Sequence, residues 1–82
     1  MTVENIHQRA SLVTLADRVP DLSTDARCAL VCSVYRGYVS DIFHTRQDDW
    51  YISGRIAGRD FWLTPAEWQR DHAKLLKASA RS

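Results

Sequence analysis

This sequence is short of nearly everything that marks a specialised class of protein. Three glycines and two prolines in 82 residues are too few for a collagenous, low-complexity or linker-like chain. No run approaches the ~18 consecutive apolar residues of a membrane-spanning helix. The first ten residues, with Glu4, Asn5 and His7 among them, lack the apolar core of a secretory signal. These two absences make a cytoplasmic location the expectation. Charge is balanced too: 11 basic against 10 acidic residues leave a net charge of +1, so no global field draws the chain to nucleic acid or to an anionic membrane. Cysteine is limited to Cys28 and Cys32, where one turn of helix is a poor frame for a disulfide. Both are read as reduced core residues.

Catalytic signatures are missing as well. There is no nucleophile elbow, no phosphate loop followed by a helix and no helix-borne metalloprotease motif. The glycines of Gly54-Arg55-Ile56-Ala57-Gly58-Arg59 sit at a hairpin tip, which explains them without a phosphate. His7, His44 and His72 fall in three different elements. A zinc set of Cys28, Cys32 and His44 fails on projection, because His44 points to the polar side of the helical wheel while both cysteines point to the core side. His72 reads as a core-edge residue, and Asp48 with Asp49 as turn formers rather than cation ligands. The expectation is a protein with no metal, no cofactor and no enzymatic activity.

What the chain does have is the composition of an ordinary folded domain, 45% hydrophobic and 26% charged. At this length one compact domain spanning residues 1–82 is expected, burying only about 60% of the surface its unfolded chain exposes. The strongest local signals lie between Trp50 and Trp68. With Ala57-Gly58 as a two-residue turn, residues 50–64 form a hairpin in which Ile56 faces Arg59, Arg55 faces Asp60, Gly54 faces Phe61 and Ile52 faces Leu63. One face is apolar. The other carries Tyr51, Ser53, Arg55, Asp60 and Trp62, with Arg55 and Asp60 as a cross-strand charge pair. Thr64-Pro65-Ala66-Glu67 is a capping box that opens a helix over 65–79, whose inner stripe is Trp68, His72, Leu75 and Leu76.

Upstream, a helix is expected over about 3–19, stopped by Pro20, with either Ile6, Ala10 and Val13 or Leu12, Leu15, Ala16 and Val19 as its buried stripe. Ser23 or Thr24 then caps a second helix. Cys28, Val31, Cys32, Tyr35, Tyr38, Val39, Ile42 and Phe43 project within about 140° of one another at helical period. That favours one long helix over about 24–45. The competing reading ends the helix near Arg36, caps it with Gly37 and makes 38–44 a strand. The expected fold is therefore a mostly helical α+β domain of order α-α-β-β-α, its hairpin packed on the long helix.

Without catalytic chemistry, surface recognition is the function left to consider. Tyr51, Arg55 and Trp62 on the hairpin's second face, with Arg59 near its tip, are the residue types that dominate binding hot spots, unless the N-terminal helix covers that face. The polar side of the long helix, with Arg36, Ser40, Asp41 and His44 near Arg46, is a second candidate. In size, single-domain character and near-neutral mixed charge the chain resembles the small inhibitors that phages encode against host defences, such as anti-CRISPR proteins. That resemblance implies a larger protein or ribonucleoprotein partner, a bacterial nucleic-acid-guided surveillance complex, blocked by steric occlusion. It assigns no residue. The alternative is DNA binding. A helix followed by a hairpin whose tip carries Arg55 and Arg59 is similar to the winged-helix arrangement of phage excisionases, and Gly58 to Leu63 resembles the second strand of such a wing.

Overall fold

The computed structural model of the chain describes residues 3–80. Three helices, α1 (Val3–Ala16), α2 (Thr24–Tyr35) and α3 (Pro65–Ala80), pack on a three-stranded antiparallel sheet made of β1 (Val39–His44), β2 (Trp50–Ile56) and β3 (Arg59–Leu63). The order is α-α-β-β-β-α, an α+β fold. The sheet is a simple meander with β2 in the middle.

The hairpin and the last helix form as their local chemistry dictates. Ala57 and Gly58 both take positive φ, 55° and 78°, as a tight turn between right-twisted strands requires. The register matches the expected one pair by pair, Ile56 with Arg59, Arg55 with Asp60, Gly54 with Phe61 and Ile52 with Leu63. At the start of α3 the capping box closes in both directions: the Glu67 amide donates to Thr64 Oγ1 (3.3 Å) and the Thr64 amide donates to Glu67 Oε1 (3.1 Å). Thr64→Ala is expected to cost about 1 kcal/mol, read as a lower urea midpoint at unchanged m-value.

The central segment departs from the favoured expectation. The long helix does not form; α2 stops at Tyr35, and Gly37 takes φ 79°. The Gly37 and Tyr38 amides donate back to the carbonyls of Val34 and Ser33 (3.1 and 2.8 Å), closing the helix in the way a left-handed glycine allows. Residues 39–44 then add to the hairpin as a third strand. The physical reason is tertiary. A lone hairpin is marginal in water, and β1 supplies it with a hydrogen-bonded neighbour and with Val39 and Ile42 for the core.

This change also reverses the buried face of α2. The residues it buries are Ala26, Leu30, Ser33 and Val34. Cys28, Cys32 and Tyr35, expected inside, are exposed, and both cysteines are free thiols. Ser23 caps α2, accepting from the Ala26 amide at 3.2 Å.

Helix α1 ends three residues earlier than expected, at Ala16. The amides of Arg18 and Val19 form turn bonds to Leu15 and Ala16, which swing Val19 into the core, where it is 1% exposed. Of the two stripes open for α1, Leu12 and Ala16 are buried while Ala10 is exposed; the side chain of Ile6 lies outside the described residues. These side chains join Leu30, Val34, Val39, Ile42, Ile52 and Trp68 in one hydrophobic cluster. Helix α1 packs on α2 and β1, and α3 on β2 and β3, so the helices form one layer and the sheet the other. Among the described residues, no helix is long and apolar enough to cross a membrane.

Candidate functional site

Because strand side chains alternate between faces, burying Val39, Ile42, Ile52 and Ile56 against the helices sends their neighbours to the opposite side. That side carries Asp41 and Phe43 from β1, Tyr51, Ser53 and Arg55 from β2, and Asp60 and Trp62 from β3. Among the described residues, helix α1 lies on the inner side and does not cover this face. It contributes Leu12 and Ala16 to the core on the inner side and makes its sheet contacts through β1.

Three aromatic rings gather at the middle of this open face. Phe43 pairs with Tyr51 across the β1–β2 ladder and Ser53 with Trp62 across β2–β3, which brings one ring from each strand together. The centroids of Phe43 and Tyr51 are 5.6 Å apart, and those of Phe43 with Trp62 and Tyr51 with Trp62 are 5.5 Å apart in edge-to-face geometry. Such pairs are favourable beyond their area burial, since the positive ring edge meets the negative ring face. The cluster is therefore pre-organised, yet Trp62 keeps 63% of its surface exposed. Beside it, Arg55 Nε lies 3.4 Å from Asp60 Oδ1, the cross-strand pair expected from the sequence. That pair is exposed and screened, so it orients the guanidinium more than it stabilises the fold.

The structure unites some of the anticipated binding residues and separates others. Tyr51, Arg55 and Trp62 share the open face. Arg59 has inward parity at the end of β3 and instead borders a groove of about 490 Å³ formed with Ile56, Asp71, Lys74 and Leu75. In that groove Asp71 is engaged by Arg70 at 2.9 Å, and this hydrogen bond holds its carboxyl below the usual carboxylate range.

The second anticipated surface, the polar side of a long helix, does not exist as one face. Arg36 is the C-cap of α2, Ser40, Asp41 and His44 belong to β1, and Arg46 is in the β1–β2 loop. His44 stacks on Trp50 with centroids 4.7 Å apart and lies 3.3 Å from Asp48. Asp48 takes φ 62° in a loop where Thr45 Oγ1 accepts from the Asp49 amide at 3.2 Å, so the two aspartates do form a turn.

Phe43 is the member of the cluster that sequence reasoning missed. Its signal was the Gly37 stop followed by β-branched and aromatic residues over 39–43, which the helical periodicity of the same residues masked. No family model, no curated protein and no solved structure matches this chain. Its function has to be read from this geometry.

Proposed function

We propose that this chain is a non-enzymatic binding protein that docks the open face of its sheet on a larger protein or ribonucleoprotein and blocks or recruits it. The observation that carries this reading is the Phe43, Tyr51 and Trp62 cluster, pre-packed yet exposed at Trp62. Ordering flexible side chains on association costs about 0.5–1.5 kcal/mol each, and rings already held by their neighbours avoid much of that. Aromatic residues with an adjacent arginine are also the composition of binding hot spots.

A protein surface suits this face better than a nucleic acid does. Base-stacking platforms combine aromatics with a cationic groove; here Arg55 is engaged by Asp60 and Asp41 adds a negative charge. The winged-helix alternative is weakened by β1, which stands between the helix and the hairpin. The exposed side of α2 offers no basic residue before its cap, and Arg27 is spent on the Ala16 and Asp17 carbonyls (3.3 and 2.8 Å). Within the protein-binding reading, an anti-CRISPR-type inhibitor that occludes a guide-loaded surveillance complex is the specific form we propose.

Trp62→Ala is the test. The domain should stay folded with a stability loss of about 1–3 kcal/mol from its two ring pairs, whereas partner affinity should fall about 30-fold or more, as for a hot-spot residue. The measurement compares wild type and variant for retention of a purified guide-loaded surveillance complex, with and without nuclease and across a salt series. Retention that survives nuclease, tolerates salt and is lost with Trp62 supports the proposal. Equal retention by both proteins, or a steep loss with salt as counterions are released from phosphates, overturns it.

A further inference from the structure

Helix α2 is buried along one side only. Its inner residues, Ala26, Leu30, Ser33 and Val34, are buried. Its exposed residues form a single stripe: Thr24, Asp25, Cys28, Cys32, Tyr35 and the capping Arg36. Tyr35 in this stripe is as exposed as Trp62, at 63%. Cys28, Cys32 and Tyr35 make up its less polar middle, and Thr24, Asp25 and Arg36 its polar ends.

Two properties of the stripe indicate what would enclose it. Asp25, Cys28, Cys32 and Tyr35 follow the alternating three- and four-residue steps of the seam between paired helices. The whole set is also unchanged by end-to-end reversal. A two-fold axis level with Leu30 sets Thr24 opposite Arg36 of a second copy, Asp25 opposite Tyr35, and Cys28 opposite Cys32. The charges agree with that reversal. Asp25, at the positive end of its helix dipole, comes beside Arg36 at the negative end of the other helix, and the two dipoles run antiparallel. Neither residue has an ion-pair partner among the described residues. The cysteines at the middle are small enough for the axes to approach at the short end of the usual 8–10 Å range.

We infer that α2 pairs antiparallel with α2 of a second copy of this chain, with Cys28 of each facing Cys32 of the other. One face of a 12-residue helix buries less than the ~1,200 Å² of a standard stable interface, so the pair is weak and reversible. It uses no residue of the open sheet face, which stays available in both copies.

Oxidation by diamide tests the geometry. Two facing thiols lose their hydrogens, one S–S bond forms, and diamide takes up both hydrogens to become its hydrazine. Wild type should give a dimer band on non-reducing gels. Cys28→Ser alone should lose it, since the remaining Cys32 side chains lie four residues apart along antiparallel axes, about 6 Å of rise added to the interaxial distance and beyond disulfide reach. Cys32→Ser alone should lose it for the same reason. An equimolar mixture of the two variants should restore the band, because Cys32 of one then faces Cys28 of the other.

Both cysteines are exposed, so the variants should fold, which circular dichroism checks. In sedimentation of the reduced protein, wild type should associate with rising concentration and Tyr35→Glu, which sets Glu against Asp25, should not. Single variants that crosslink as well as their mixture overturn the proposal. So does a wild type that neither crosslinks nor associates.

Discussion

Gly54→Ala is expected to cost this domain about 3 kcal/mol or more, the upper end of what over-packing does. A Cβ at this position would stand 1.9 Å from the Tyr38 carbonyl oxygen and 2.8 Å from Val39 Cα. Both are backbone atoms, so no side-chain rotation relieves the clash. The strands run this close because the β1–β2 register shifts between Val39 and Asp41, and the Arg55 amide donates to the Tyr38 carbonyl at 2.7 Å. To admit the methyl group, β1 must retreat from β2 and give up that bond.

A domain of this size has a total stability of about 4–12 kcal/mol, so the expected loss is a large share of it. Urea denaturation followed by circular dichroism measures it. Gly58→Ala is the control. Gly58 has φ +78° with nothing within 4 Å of the added Cβ, and should cost only about 1–2 kcal/mol from backbone strain. A Gly54→Ala loss no larger than that of Gly58→Ala would mean the two strands are not locked at this approach.

Trp68→Ala should be at least as damaging, at about 3–5 kcal/mol. Trp68 is 0% exposed and sits where α2, α3 and the sheet meet. Its Nε1 donates to the Ala26 carbonyl at 2.9 Å, and its ring lies 6.1 Å from Phe61 and 5.9 Å from His72. Truncation therefore opens a cavity at the junction of three elements and removes one of the hydrogen bonds between α3 and α2, leaving that from the Ser23 amide to Gln69 Oε1.

Trp68→Phe separates the two contributions. It keeps an aromatic ring near Phe61 and loses the donor, and should cost about 2 kcal/mol, the hydrogen bond at about 1 kcal/mol plus part of the packing. Thermal melts of the two variants give the comparison. Equal losses would assign the whole effect to the indole N–H, and a small loss in both would show that the core closes without this residue.

The elements whose formation is decided locally were the ones legible beforehand. The hairpin needed only a turn able to take positive φ and an alternating pattern, and the last helix only a capping box. Both carry their cause within a few residues. Strand β1 carries its cause elsewhere. Val39, Ile42 and Phe43 fit a helical stripe and a strand equally well in sequence, and what selects the strand is the free edge of β2, a dozen residues away. Helix α2 shows the same limit in another form, because periodicity reveals stripes but not which of two a core will cover. The binding face inherited these gaps: Tyr51 and Trp62 followed from the hairpin register, while Phe43 joined them only once β1 was a strand.

The three tryptophans occupy three different surroundings, and that makes the chain its own optical probe. Trp62 meets solvent, Trp68 is sealed against a carbonyl, and Trp50 is half-buried against an imidazole. Iodide should reach Trp62 first and Trp68 last. Docking on the sheet would therefore protect Trp62 from iodide and shift its red-edge emission toward the blue, while leaving the emission of Trp68 in place. Loss of the core would move the blue component to the red. Occupancy and unfolding can then be followed separately, in one cuvette and without a label.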